Sequence, residues 1–216
     1  MASVYAYSVT HDLGFAPNPF GGLLSLANCK PHIRARAKKG DWIVGFTGVK
    51  LKPVLRCVYA MIVTDERTFD SYWSDPAFLS RRPERAGSAK SQVGDNIYHR
   101  VSPFDPWLQE DSVHSLTDGA QCQLNTAHDT RINRVLLSED FVYFGAAAPL
   151  LPTAVRAAIG YNRNVRDYRR FDMADGKSLI DWLAPQKAAN HNQIVRDPIN
   201  FASSAMRYSQ THQRMV

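Results

Sequence analysis

Apolar and polar positions alternate over residues 3–9 (Ser-Val-Tyr-Ala-Tyr-Ser-Val), placing Tyr5, Tyr7 and Val9 on one face and predicting a strand. The next segment, Phe15-Ala-Pro-Asn-Pro-Phe20 followed by Gly21-Gly22, is apolar enough for a core. Its two prolines and two glycines exclude ordinary helix or strand, so it reads as a rigid loop flanked by aromatic rings with Asn18 at its centre. Pro31 suits a first helical turn and Gly40 a stop, which predicts a helix over 31–39 with Ile33 and Ala37 inward and Arg34 and Lys38 on an outer stripe. Residues 41–47 and 54–63 predict two further strands, paired with each other. Phe69, Tyr72 and Trp73 have helical spacing over 66–74, and Pro76 closes that segment. The stretch 80–95 turns polar and basic and predicts a mobile loop. Residues 101–130 read mainly as turns, with Trp107 and His114 standing out. Short strands follow at 135–137 and 141–144, then helices at 153–159, ended by Gly160, and at 179–183.

Short mixed strands around a few helices predict an α+β fold: a curved mixed β-sheet or small β-barrel, decorated by short helices and long loops. The alternating βαβ repeats of a doubly wound sheet are missing. Residues 1–155 are expected to form the α+β domain, and 156–216 a helical, basic extension packed on it.

Charge sharpens the picture more than composition does. The net charge is +6 over 216 residues, and its distribution is uneven. Residues 30–39 carry Lys30, Arg34, Arg36, Lys38 and Lys39 with no acid among them. Residues 156–170 carry Arg156, Arg163, Arg166, Arg169 and Arg170 against Asp167 alone. Such clusters attract phosphates and lean toward nucleic acid or nucleotide, although solvated helix faces are also often basic. No apolar run has membrane length, and the N-terminal residues show no secretory pattern. Cys29, Cys57 and Cys122 form no paired framework. These features together predict a cytoplasmic protein.

The chain has no Gly-x-x-x-x-Gly-Lys loop, no Gly-x-Gly-x-x-Gly after a strand and no Gly-x-Ser-x-Gly elbow. Cys29, His32, Cys122 and His128 could be imagined around zinc, but no Cys-x-x-Cys or His-x-x-x-His pair accompanies them, so no metal site is expected. Cys29 has basic neighbours that favour a nucleophilic thiol. Without an evident partner base it reads more readily as a small buried residue behind the loop. Asp12 and Asn18 flank the aromatic loop, and Asp95, Asn96, Tyr98 and His99 form a second polar cluster. Asp or Asn can read a base edge while an aromatic ring stacks on its face. Asp12 or Asp95 with His99 could equally form an acid–base pair, and Gly-Asp-Asn is also a plain turn sequence.

These residues fall into blocks: Asp12-x-Gly14-Phe15-Ala16-Pro17-Asn18-Pro19, Cys29-Lys30-Pro31-x-Ile33-Arg34 and Gly40-Asp41-Trp42-Ile43-Val44-Gly45. Weaker blocks follow at Tyr72-Trp73, Gly94-Asp95-Asn96-Ile97-Tyr98 and Phe141-x-Tyr143-Phe144-Gly145. In this order they resemble the second of the nucleotide modification associated domain families of bacteria and phages. A weaker, fold-level similarity is to the pseudouridine-synthase-associated (PUA/EVE-like) barrels. The resemblance implies a role with modified bases or nucleotides in base-modification or defence systems, with nucleic acid, DNA first, or a nucleotide as partner. It carries Asp12, Asn18, Lys30, Asp41, Asp95, Asn96 and Tyr98 as site residues, and His99 by adjacency. In a recognition module Phe15, Phe20, Trp42 or Tyr98 would stack, Asp12 or Asn18 would read the base, and cations such as Arg34 would hold phosphate. In an enzyme Asp12, Lys30, Asp95 and His99 would do the chemistry. A scaffold within a modification complex is the third reading. No cofactor or donor follows from any of them.

Overall fold

The computed structural model describes residues 2–216. The chain opens with β1 (Ser3–Val9), β2 (Leu24–Leu26), α1 (Pro31–Arg36), β3 (Trp42–Thr47) and β4 (Cys57–Ile62). Then come β5 (Asp65–Arg67), α2 (Phe69–Ser74), α3 (Ala89–Gln92), β6 (Tyr98–His99), β7 (Leu108–Gln109) and α4 (Gln123–Thr130). The chain continues through β8 (Val135–Ser138), β9 (Asp140–Tyr143), α5 (Thr153–Ala158), β10 (Tyr168–Asp172) and α6 (Lys177–Ala189). It ends with β11 (Gln193–Ile194), β12 (Tyr208–Ser209) and β13 (Arg214–Met215).

Six strands form a mixed central sheet in the order β10-β1-β3-β4-β9-β11. The β1–β3 and β9–β11 pairs run parallel, and the others antiparallel. The fold is therefore the expected α+β class. The sheet stays open, with β10 and β11 at its edges, and closes into no barrel among the described residues. Both edge strands come from residues beyond 155.

The alternation along β1 sorts side chains between two cores. Val4 and Ala6 join Trp42, Val44 and Phe46 against Leu179 and Leu183 of α6. Tyr5, Tyr7 and Val9 join Ile43, Tyr59 and Tyr143 against Ile33 and Ala37 of α1 and Leu24, Leu26 and Leu136 of the small sheet β2-β8-β5. A third core, built on Leu13, Phe15, Phe69, Tyr72, Ile97, Tyr98 and Val113, lies beyond that small sheet. Local rules explain several boundaries. Pro31 occupies the first turn of α1. Thr68 caps α2 through a reciprocal box, its Oγ1 accepting from Ser71 N at 3.1 Å while its own N–H donates to Ser71 Oγ at 3.0 Å.

Several segments depart from the sequence reading. Arg34, expected on an outer stripe, is fully buried, because its guanidinium finds backbone carbonyls instead of water. The stretch 80–95, expected to be a mobile loop, carries the end of a 3₁₀ turn (Pro76–Arg81) and α3. Its arginines point inward: Arg81 donates to Leu23 O at 2.5 Å and Ser25 Oγ at 2.7 Å, and Arg85 to Gln92 O at 2.7 Å and Ser204 O at 3.1 Å. Helix α4 lies in the region read as turns, since Gln-Leu-Asn-Thr-Ala-His-Asp-Thr carries no apolar stripe. Strand β10 was hidden because Tyr-Arg-Arg-Phe-Asp reads as a charge run, although it pairs with β1 from Ser3↔Asp172 to Tyr7↔Tyr168.

Gly45 of β3 faces Tyr59 of β4 across the ladder. A Cβ at Gly45 would run into the Tyr59 ring and meet Val9 Cγ2 at 2.9 Å. The missing side chain lets the Tyr59 hydroxyl cross to donate to Tyr7 Oη at 2.9 Å, beneath the site described next. Gly45→Ala is expected to cost about 1–3 kcal/mol through overpacking. Urea unfolding should show a lowered midpoint with an unchanged slope.

Candidate active site

The chain turns sharply between β2 and α1. Cys29 and Lys30 both lie in the left-handed region, with φ 58° and 39°. Side chains rarely tolerate this region, and such strain persists only where the surroundings hold it. Here two groups do so. Asp129 Oδ1 accepts from Cys29 N at 2.8 Å, and Arg34 Nε donates to Cys29 O at 2.9 Å. The turn presents the Cys29 sulfur to a cavity of about 700 Å³ lined also by Tyr7, His11, Phe15, Lys30 and His114.

His114 Nε2 stands 3.6 Å from Cys29 Sγ, and His114 Nδ1 lies 2.8 Å from Asp129 Oδ2. Sulfur, imidazole and carboxylate thus form a relay: a nucleophile, a base within reach and a third group that orients the base. His114 sits in a short turn tied down by Ser115 N donating to Ser112 O at 3.1 Å, and its own carbonyl accepts from Asn125 Nδ2 of α4 at 2.7 Å. Asp129 lies in the last turn of α4. Phe15 packs edge-on against the imidazole at 4.8 Å, which limits the ring's rotation.

Burial alone would lower the His114 pKa. The Asp129 carboxylate, with help from Cys29 and the hydrogen bonds to both, overcomes that and pushes it up to about 10. Burial would likewise raise Asp129, but His114, the hydrogen bond from His128 and the Arg34 charge hold it well below the usual carboxylate range. The resting histidine is therefore an imidazolium pinned between carboxylate and sulfur.

Cys29, His114 and Asp129 also place ligand-type atoms within 4.8 Å of one another, a spacing a cation could use. The carboxylate is already committed. Its oxygens accept from Cys29 N, His114 Nδ1, His128 Nδ1 at 3.1 Å and Tyr98 Oη at 3.0 Å. Four donors occupy its lone pairs, so it acts as an orienting group and has little left to offer a metal.

A family model described as nucleotide modification associated domain 2 matches residues 1–205. The chain belongs to that family. Membership ties it to nucleotide modification, and the match includes all three members of the relay. No curated protein and no solved structure matches the chain.

Residues of the family blocks fall into three groups. Phe15 and Lys30 line the cavity with Cys29, the Lys30 ammonium standing 4.8 Å from the centre of the Tyr7 ring. Burial lowers the pKa of that lysine. Arg34 and Tyr98 lie directly behind the relay, bonded to Cys29 O and the Asp129 carboxylate. The others are placed elsewhere. Asp12 is buried, accepting from Tyr143 Oη and from Ile199 N at 2.9 Å, and its burial raises its pKa to about 6. Asn18 donates to Val93 O at 3.0 Å and accepts from Phe20 N at 3.0 Å. Asp95 is buried among Ser25, Tyr72 and Arg81. Asn96 donates to Tyr72 O at 2.8 Å, and Asp41 accepts from Ser3 N at 2.7 Å. Trp42 lies in the core under α6. His99 stacks on Trp73 at 4.0 Å and meets Glu110 at 2.9 Å, while Phe20 packs near Phe201 at 5.5 Å.

His114 and Asp129 were not among the sequence candidates. They lie 85 and 100 residues from Cys29, so no local spacing announces them. The one available signal was a lone cysteine in an unusual Pro-flanked turn, to be matched with a distant histidine.

Two measurements follow. Iodoacetamide should label Cys29 ahead of the buried Cys57 and Cys122, and His114→Gln should slow that labelling roughly tenfold or more by removing the positive charge beside the sulfur. Equal rates in both proteins would remove the relay. The second concerns pH. The folded value of His114 lies above the ordinary 6.5, so the stability it contributes is complete below about pH 6.5 and is lost as pH rises through about 10. The stability advantage of wild type over His114→Gln should shrink across that window in thermal melts, and a flat difference would contradict the ion pair.

Proposed function

We propose that this family member is a cysteine-dependent enzyme acting on a nucleotide or a base held in the Cys29 cavity. The observation that carries this reading is the Cys29–His114–Asp129 relay opening onto that cavity. The thiolate is the attacking form of cysteine. Attack on an electrophilic carbon of the base, or of a group attached to it, forms a C–S bond. The displaced electron pair moves onto the substrate atom that then takes the proton from the His114 imidazolium. Asp129 keeps the imidazole in the orientation and charge this transfer needs.

The cavity walls suit such a substrate. Tyr7, Phe15 and Tyr208 offer aromatic surfaces for a base. Lys30, Arg131 and Arg166 supply positive charge for phosphate, against the single acid Asp167, which is engaged by His32 at 2.7 Å. His11 also lines the cavity, and its Nε2 is buried without a hydrogen-bond partner among the described residues. A ligand donor or acceptor would satisfy that nitrogen.

Those same walls are what a module recognising a modified base would use, and this second reading rests on them rather than on the relay. Cys29→Ala separates the two. DNA oligonucleotides and nucleoside 5′-monophosphates incubated with the wild type should yield an altered nucleoside, or a mass adduct on Cys29, by mass spectrometry. The variant should still bind but lose turnover by about 1,000-fold or more. Equal binding by both proteins, with no mass change in any sample, would leave recognition as the function.

A further inference from the structure

A second concavity of about 610 Å³ opens farther along the same face of β1, between α1 and β10. Its rim carries four cations, Arg36, Lys38, Lys39 and Arg170, and one acid, Asp41. The acid is already committed, accepting from Ser3 N at 2.7 Å and Lys38 N at 2.9 Å. Lys39 pairs with Asp65 at 2.9 Å, and Arg170 donates to Ser3 Oγ at 2.9 and 3.1 Å. The side chains of Arg36 and Lys38 are exposed and make no hydrogen bond or ion pair among the described residues. Tyr5 forms part of the lining although it is only 1% exposed, and its hydroxyl has no hydrogen-bond partner among the described residues. A hydroxyl left open beside guanidinium and ammonium groups is a site built for an anionic oxygen.

The two cavities are neighbours along β1, Tyr5 lining this one and Tyr7 the cysteine cavity. Tyr5 and Tyr7 point to the same side of β1, opposite Arg170 and Tyr168 of β10, and the Tyr5 and Tyr168 rings lie 5.5 Å apart. His32 of α1 and Asp167, just before β10, meet at 2.7 Å on the wall of the cysteine cavity. From Ser3 to Tyr7 the strand runs about 13 Å, roughly the length of four stacked nucleotides. The two basic clusters of the sequence, more than a hundred residues apart, thus meet across β1 because β10 pairs with it.

We infer that this groove binds the phosphodiester backbone of a polynucleotide whose target nucleotide occupies the Cys29 cavity. The inference rests on the nucleotide reading of that cavity and adds the substrate class: a strand, rather than a free nucleotide. Arg36, Lys38 and Arg170 contact phosphates on one side of the target, and the Tyr5 hydroxyl donates to one of them.

The test is fluorescence anisotropy with labelled single-stranded DNA and RNA 20-mers over a series of salt concentrations, using wild type, Cys29→Ala, and a groove variant carrying Arg36→Ala, Lys38→Ala and Arg170→Gln. The groove variant should bind about tenfold or more weakly, with its log–log salt slope reduced by about 2 for the three lost charges. Cys29→Ala should bind like wild type, and the groove variant should keep the wild-type rate of Cys29 alkylation, which shows an intact fold and relay. Tighter binding of one 20-mer identifies the source of the backbone. A groove variant that binds like wild type, or a wild type that binds neither 20-mer more tightly than a labelled mononucleotide, overturns the inference. Failure of Cys29 chemistry would appear separately, as absence of an adduct while the salt-dependent binding remains.

Discussion

Arg34 holds the site together. Its guanidinium, fully buried, donates to four backbone carbonyls: Cys29 O at 2.9 Å, Ile132 O at 2.7 Å, Arg134 O at 2.6 Å and Asp129 O at 2.6 Å. The first belongs to the turn that carries Cys29 itself, and the others to the end of α4 and the segment leading into β8. Only arginine offers five N–H donors in a planar fork that can span such a set. Burial pulls its pKa down, and Asp129 and Cys29 push the other way. Removing the fork would leave several carbonyls buried without donors, each costing about 1–3 kcal/mol. It would also release the backbone of Cys29 from that of Asp129.

The same economy of charge recurs around Asp129. One carboxylate receives four donors from four separate segments: the Cys29 turn, the His114 turn, β6 through Tyr98, and its own helix through His128. A buried carboxylate is costly unless every lone pair is met, and meeting them here draws Cys29, His114 and Tyr98 into one place. A second buried hub repeats the logic nearby. Asp95 gathers Ser25, Tyr72 and Arg81, and Arg81 in turn binds the carbonyls of Phe20 and Leu23. That hub, with Asn18 and Asp12, secures the proline-rich loop whose Phe15 leans on His114. The loop's rigidity holds the Phe15 ring against the His114 imidazole.

Much of this was legible in the chain, for physical reasons. Strand β1 is announced by strict alternation, α1 by Pro31, and the β3–β4 pair by runs of β-branched and aromatic residues between turn signals. The block around Cys29-Lys30-Pro31 drew notice to the turn that lines the cavity, since prolines and cramped backbone leave a trace in sequence. The burial of Arg34 left none, because an arginine at a helical position looks the same whether it meets water or carbonyls. Asp129 was equally silent, and His114 stood out among the turns with no partner to give it a role. Each sits in a segment with weak periodicity, and their meeting with Cys29 is a property of tertiary contacts alone. Strand β10 was masked in the opposite way: Arg169, Arg170 and Asp172 are exposed and read as a solvated run until Phe171 is seen buried against β1.

The relay lies at the seam between two cores rather than inside either. Ala27 and Val113, two residues before Cys29 and one before His114, belong to the third core, whereas Ile33 of α1 belongs to the second. A seam lets buried side chains fix the reacting atoms from behind while leaving their front faces open. The cavity's outer wall is of a different kind. Tyr208, Gln210, Gln213 and Met215, at the β12–β13 hairpin, close it. That hairpin is tethered by Arg207 to Asp111 at 2.7 Å, by Tyr208 N to Val113 O at 2.6 Å and by Lys50 to Gln213 O at 2.6 Å. Asn125 Nδ2 adds a bond to Tyr208 O at 3.2 Å. The Arg207 and Lys50 tethers are more exposed than the bonds around Asp129, and exposed bonds open more readily than buried ones. The cavity thus has a back wall fixed by buried bonds around Asp129 and a front wall held by more exposed ones.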